Sequence, residues 1–149
     1  MRKSLLIGTL ALAACSHRTE VLPSPASPAA AGSAAAQPAV DAFLAAVRAQ
    51  DLQAMSAVWG DKDGPVRESK HISRDDVEKR EVVMMRCFRH DKYRVLGNSP
   101  AADGERVFQV ELTRGTLRRT TNFYVTRGSD RYYVRTADME PVRDLCSSR

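Results

Sequence analysis

Residues 39–60 read AVDAFLAAVRAQDLQAMSAVWG, and this stretch decides the fold. Its first half places apolar residues at the i, i+3, i+4 and i+7 spacing of one helix face, namely Val40, Phe43, Leu44 and Val47. Asp51 is then in position to cap a second short helix, which Gly60 ends. The apolar face of that second helix consists of Leu52, Met55 and Trp59. The stretch therefore predicts two amphipathic helices, each with one face to bury.

A third helix is predicted after a loop at residues 60–72, where Gly64-Pro65 and mixed charges are typical of irregular chain. Ser73 followed by Asp76 resembles a capping box with Asp in place of Glu, and residues 74–89 have helical composition. The residues expected on or beside the apolar face of this helix are Val77, Val83, Met84, Cys87 and Phe88.

The period of the apolar residues changes from 3.6 to 2 after His90-Asp91, which indicates β-strands. The strands are predicted at residues 93–96, 108–112, 117–126 and 132–136, with a turn-rich loop at 97–104. Phe123 and Val125 are expected to point inward, because they alternate with polar residues. Helices followed by an antiparallel meander define an α+β fold, in which the N-terminal helices pack on the sheet.

The opening helix pair at 39–60 and the ending Arg131-Tyr132-Tyr133-Val134 resemble the nuclear-transport-factor-2-like, or ketosteroid-isomerase-like, superfamily. The resemblance covers about residues 38–140. It implies a curved, cone-like sheet whose mouth, lined by helices, often forms a pocket. Members include enzymes, binding modules, dimerising domains and small lipoproteins of unknown role. Six residues are candidates for this pocket: Phe43, Trp59, Glu81, Met84, Phe88 and Phe123.

The N-terminus has the layout of a secretory signal at residues 1–14, with a basic start, a short apolar run and small residues. The run Leu12-Ala13-Ala14-Cys15 resembles a bacterial lipobox, which implies that Cys15 carries a diacylglyceryl group and fatty acids such as palmitate. Ser16, in place of Asp, implies an outer-membrane lipoprotein facing the periplasm of a diderm cell. The alternative is an ordinary signal peptide that contains a cysteine by chance.

Residues 15–38 are rich in Pro, Ala and Ser and contain no aromatic residue, so we expect a disordered tether. A single domain is then expected at residues 39–149. The net charge of +5 falls to +3 once Arg2 and Lys3 leave with the signal peptide. A charge this small argues against a general affinity for nucleic acid.

Cys87 and Cys146 form an even pair if Cys15 is acylated. An oxidising compartment favours a disulfide between them, and a redox pair would instead show CxxC spacing. Two free buried thiols are the alternative that stays open.

The domain contains few residues arranged for chemistry. Glu81 shares a helix face with apolar residues and would become a candidate general base if buried, but we expect it at the helix margin, paired or in solvent. The histidines, which are His17, His71 and His90, show no metal-ligand spacing. No motif for acyl or phosphoryl transfer is present in the domain, so no catalytic residue, metal or cofactor is expected.

Residues 114–143 contain seven arginines and only three acidic residues. Arg118, Arg131 and Arg135 are the candidates for a basic sheet face that could meet lipid phosphates, anionic glycans or an acidic partner. A solvated outer face that discourages aggregation is the simpler interpretation.

Two classes of function follow from these patterns. The first is a non-catalytic module, anchored to the envelope, that binds a small molecule, a glycan, another protein or a second copy of itself. The second is a small isomerase, cyclase or hydrolase with its site in the cone. A cone filled by aromatic side chains would favour the first.

Overall fold

The structure is a computed structural model that describes residues 31–147. Its helices are α1 (Ala36–Ala49), α2 (Leu52–Val58), α3 (Arg74–Cys87) and α4 (Arg143–Ser147). Its strands are β1 (Gly60–Asp61), β2 (Gly64–Pro65), β3 (Lys92–Pro100), β4 (Arg106–Arg114), β5 (Leu117–Arg127) and β6 (Tyr132–Ala137). The predicted α+β class is confirmed. The predicted signal peptide, Cys15 and most of the tether lie outside the described residues.

The main sheet is an antiparallel meander with the strand order β3-β4-β5-β6. Phe108 on β4 pairs with Phe123 on β5, which sets the register of the two central strands. Alternate residues of these strands are buried on the face that the helices cover, as expected for a half-solvated sheet. They include Phe108, Val110, Leu112, Phe123 and Val125.

Local side-chain contacts start the second and third helices where the sequence predicts them. The Asp51 carboxylate accepts a hydrogen bond from the Ala54 N–H at 2.9 Å. The Ser73 hydroxyl accepts one from the Asp76 N–H at 3.2 Å and donates to the Asp76 carboxylate at 2.8 Å. Each cap satisfies a backbone donor that the helix itself leaves unpaired.

Three segments are more regular than predicted. The predicted loop at 97–104 is wrong in its first half, because β3 continues to Pro100 along β4 after a bulge between Val95 and Gly97. The predicted loop at 60–72 contains the β1–β2 hairpin and a 3-10 turn at Val66–Glu68. The described part of the chain ends with α4, which the pattern of the preceding strands does not predict.

The folded domain also begins before residue 39. Ser33 exchanges two backbone hydrogen bonds with Tyr132, at 2.9 and 2.8 Å, and α1 begins at Ala36. These bonds cover part of the outer edge of β6, which would otherwise expose unpaired backbone groups. Gly32 has a φ of +70°, and a Cβ there would lie 2.8 Å from the Tyr133 ring. The close approach therefore requires glycine within the segment predicted as tether.

Candidate functional site

The interior between sheet and helices is filled by aromatic rings. Phe43 on α1, Phe88 at the end of α3 and Phe123 on β5 are fully buried. Their ring centroids lie 5.1 to 6.1 Å apart, within the range of favourable edge and tilted contacts. These three candidate pocket residues are therefore core residues, and the other three lie on two flanks of α3.

Trp59 and Met84 line a groove between α3 and β6, with a volume of about 390 Å³. We name it the α3–β6 groove. Its floor also includes Val83, Ala137 and Met139. Val83 is 52% exposed, so its predicted position beside the buried face of the helix is wrong. The Trp59 Nε1–H donates to the Arg135 carbonyl oxygen at 3.2 Å, which holds the indole against β6.

Cationic residues border this apolar floor. Lys79 and Arg80 of α3 line the α3–β6 groove. Arg135 of β6 also lines it, although its guanidinium lies over the Tyr124 ring. Lys79 pairs with Asp75, and Arg135 pairs with Glu105, whose Oε2 accepts from Nη2 at 2.9 Å. Arg80 has no carboxylate partner among residues 31–147. The groove thus combines apolar contact area with an unbalanced positive charge.

A shallow hollow of about 420 Å³ adjoins the groove and shares Val83 and Met139 with it. Arg86 and Arg143 stand at its rim, and Cys87 and Cys146 lie in its lining. Arg143 pairs with Glu140, whereas Arg86 has no ion pair within the described part of the chain. The cationic surface therefore extends along α3 beyond the groove.

Glu81 lies on the opposite flank of α3, in a cleft of about 310 Å³ that α2, the 3-10 turn and α3 enclose. We name it the α2–α3 cleft. The expectation that Glu81 lies at the helix margin is wrong, since the residue is only 3% exposed. Its Oε1 has no hydrogen-bond partner among the described residues. Burial, with a smaller contribution from the charge of Glu78, raises the pKa of Glu81 to about 7.

The sulfur atoms of Cys87 and Cys146 lie 2.12 Å apart, and the two Cα atoms lie 4.0 Å apart. The pair joins the end of α3 to α4 across 59 positions of sequence. This proximity meets the distance requirement for the predicted disulfide, and its formation in the exported protein stays a prediction.

The three arginines of the predicted basic face do not form one patch. Arg118 lies 3.8 Å from Glu111, and the guanidinium of Arg135 lies 5.9 Å from the Tyr124 ring centroid. Arg118 and Tyr124 are six positions apart on β5, or about 20 Å at 3.3 Å per residue. Arg131 precedes β6 and packs its Cβ near Gly32. The outer sheet face therefore carries separate, largely compensated charges.

The two histidines among residues 31–147, His71 and His90, lie in different environments. His71 is exposed, and His90 is buried with its Nδ1 2.8 Å from the Phe88 carbonyl oxygen. Burial lowers the pKa of His90. Within residues 31–147, no three His, Cys, Asp or Glu side chains are grouped so that they could hold a metal ion. No helix in the same region is long and apolar enough to cross a membrane.

No protein-family model, curated protein or solved structure matches this chain. The class of protein is therefore defined by its own features: an α+β domain with a filled aromatic core and a recess on either flank of one helix, one lined by cationic side chains and the other containing a buried carboxyl group.

Sequence reasoning missed the cationic groove residues on α3. Val82 and Val83 are adjacent apolar residues of α3, and they are 55% and 52% exposed. One of two adjacent helical residues usually points away from the core, so this pair was the available signal. Arg67, which lines the α2–α3 cleft, stands in a predicted loop and offered no such signal.

Proposed function

We propose that this protein is an envelope-anchored lipoprotein whose domain is a non-catalytic binding module for an anionic amphiphile, meaning a molecule with an acidic head and an apolar tail. One observation carries the proposal: the α3–β6 groove has an apolar floor, while cationic side chains form its rim. The filled aromatic core supports it, because the space that a cone enzyme would use is occupied by side chains.

The dimensions and chemistry of the α3–β6 groove suit such a ligand. Its volume of about 390 Å³ lies within the usual range of small-molecule pockets, roughly 300–1,000 Å³. An alkyl chain would cover Val83, Met84 and Trp59, which gains about 25 cal/mol for each Å² of apolar surface removed from water. An acidic head group would then face Arg80, whose charge no carboxylate among residues 31–147 balances.

The cone-type fold and the superfamily resemblance belong to the same proposal. Two irregularities in the sheet support curvature: the register shifts between Val95 and Gly97 and again between Tyr124 and Val125. Bulges of this kind bend a strand and increase its twist.

The lipid anchor at Cys15 places the module in the envelope, and it is supported by the lipobox-like run that ends at that residue. Two or three acyl chains hold a protein stably at a bilayer, whereas one does not. Labelled palmitate should enter the wild type and be absent from Cys15→Ala. Continued membrane association of Cys15→Ala after salt washing would contradict the anchor assignment.

The groove can be tested through its own fluorophore, because Trp59 is the only tryptophan in the chain. Titration of the full chain with decanoate should change the Trp59 emission saturably, and decanol should bind more weakly. Val83→Asp should reduce the decanoate affinity at least tenfold, because it places a negative charge on the floor. Val82→Asp is the matched control, since Val82 is equally exposed but does not line the groove. Equal effects of the two variants would refute the site.

The enzyme alternative has one observation in its favour, the raised pKa of Glu81 in the α2–α3 cleft. A carboxyl group with a pKa near 7 can act as a general base or acid at neutral pH. The test is turnover of isomerase, cyclase and hydrolase substrate panels by the wild type and Glu81→Gln. An activity that only the variant lacks would support this alternative.

A further inference from the structure

The α2–α3 cleft contains a buried carboxyl group without a partner, and it is separate from the α3–β6 groove. Glu81 extends from α3 and is 97% shielded from solvent, as its exposed fraction of 3% shows. Its Oε1 accepts no hydrogen bond from residues 31–147. Burying a carboxylate without a counter-ion or donor is costly, so a partner that enters the cleft would gain free energy from meeting it.

The charges around the α2–α3 cleft indicate what that partner must carry. Arg67 on the 3-10 turn pairs with Glu68 at 3.7 Å, and Arg74 pairs with Glu78 at 4.0 Å. Both cleft arginines therefore already have carboxylate neighbours. Glu81 is the acidic group of the cleft that lacks a cation among the described residues. A positively charged ligand group completes this arrangement, whereas an anion would not.

The remaining walls of the cleft combine apolar and hydroxyl groups. Val66, Ile72 and Val77 provide apolar surface along the cleft. The Ser56 hydroxyl donates to the Gln53 carbonyl oxygen at 3.0 Å, and the Ser69 hydroxyl accepts from the His71 N–H at 3.2 Å. A hydroxyl oxygen has two lone pairs, so both serines retain capacity to accept an N–H donor. An ammonium group offers three such donors.

We propose that the α2–α3 cleft binds a primary ammonium group on a short alkyl stem, with the carboxylate of Glu81 as its counter-ion. The stem packs against Val66, Ile72 and Val77. Two sources carry this chemistry: a free alkylamine or diamine, and the side chain of a lysine on a peptide.

The test uses calorimetric titration of the full chain at pH 8 with n-pentylamine, 1,5-diaminopentane and N-acetyl-lysine methylamide, and with n-pentanol as the uncharged control. We expect at least one amine to bind at least tenfold more tightly than pentanol. Tighter binding of the lysine derivative identifies a peptide as the source, and tighter binding of the free amines identifies a small molecule. Equal binding of pentanol, or no binding of any amine at millimolar concentration, overturns the proposal.

Glu81→Gln should weaken the amine affinity at least tenfold, because the amide keeps the shape but loses the charge. Asp75→Asn is the matched control: it removes a carboxylate from the same helix outside the cleft and should change the affinity less than twofold. Circular dichroism establishes that each variant is folded. An unchanged affinity in folded Glu81→Gln overturns the proposal.

The pH profile provides a second readout. The charged groups around Glu81 are Glu78 and Arg74 on α3 and Arg67 on the 3-10 turn, while α2 contributes the uncharged Gln53 and Ser56. The wild type should bind the amine about tenfold more weakly at pH 5.5 than at pH 8, since protonation removes the counter-charge. Glu81→Gln should show no such dependence, and a wild-type profile that is flat over this range refutes the assignment.

Discussion

The two flanks of α3 differ in charge and in polarity, although one helix builds both. Toward α2, the helix presents Glu81 in a cleft whose arginines are already paired. Toward β6, it presents Lys79 and Arg80 above an apolar floor. The neighbouring elements account for the difference, because α2 and the 3-10 turn enclose a carboxyl group while β6 supplies Arg135 and Ala137. The chemistry of a surface helix therefore depends on the elements that pack beside it.

The substitution with the largest expected effect should disrupt both flanks of α3 at once. Phe123→Ala removes a ring that contacts Phe43 and Phe88, so the free energy of unfolding should fall by about 3–5 kcal/mol. Thr120→Ala on the exposed face of the same strand should change it by less than about 0.5 kcal/mol. Urea unfolding measures both. Equal, small losses would show that the aromatic core does not support α3.

A second, smaller effect should distinguish the flanks. The double variant Cys87→Ser, Cys146→Ser should lower the free energy of unfolding by about 2–4 kcal/mol, because a covalent loop of this length restricts the unfolded chain. Both cysteines line the hollow beside the α3–β6 groove, so decanoate affinity should fall more than amine affinity. Mass spectrometry of a non-reduced digest tests the bond itself, and two free thiols in a periplasmic preparation would contradict it.

A third prediction concerns the α2–α3 cleft: the free energy of unfolding should depend on pH because of Glu81. The pKa of Glu81 is raised from 4.5 to about 7, so the folded state holds a proton that the unfolded state releases. The stabilisation is fully present below pH 4.5 and is lost as the pH rises to about 7. The free energy of unfolding should fall by about 2–3 kcal/mol across this window in the wild type relative to Glu81→Gln.

The quantity to measure is the difference in the free energy of unfolding between the wild type and Glu81→Gln, because His90 also makes the stability depend on pH. Its pKa is lowered by burial, so its contribution to stability increases as the pH rises toward 6.5. That contribution has the opposite sign and cancels in the difference. Parallel pH profiles for the wild type and Glu81→Gln would show that Glu81 is not buried in solution.

The smallest effect should appear only on the β6 flank. Glu105→Gln removes the carboxylate partner of Arg135, a residue that lines the α3–β6 groove, so the net positive charge near the groove increases and decanoate affinity should rise two- to fivefold. The free energy of unfolding should change by at most about 1 kcal/mol, as for an exposed ion pair. Glu111→Gln, which releases Arg94 and Arg118 elsewhere on the sheet, should leave the Trp59 titration unchanged.

The elements with strong local patterns were predictable. The helix pair at 39–60, the cap at Ser73 and the inward direction of Phe123 follow from spacing alone, since each depends on neighbours a few positions away. The extension of β3 to Pro100 did not follow, because Gly97, Asn98 and Ser99 have poor strand propensity and are held by pairing with β4. The ordered contact of Ser33 with Tyr132 likewise depends on a strand nearly a hundred positions later.

The predicted pocket, like the fold, depends partly on local sequence and partly on contacts between distant segments. Its six residues do not line one pocket: they separate into three core residues, two groove residues and one cleft residue. Periodicity assigns a residue to a helix face, and it does not reveal which neighbour covers that face. For this reason Glu81 was expected at the helix margin, paired or in solvent, whereas it is buried.

The sequence by itself determined the α+β order, the caps and the residues that can form a core, because these depend on local spacing and on the free energy of burying apolar side chains. It also predicts export and acylation at Cys15. Only the tertiary structure determines which recess each side chain lines. It also determines whether a charged side chain lies close to one of opposite charge. Those outcomes depend on distances between segments remote in sequence, and a buried carboxyl group changes its pKa according to what the folded chain places around it.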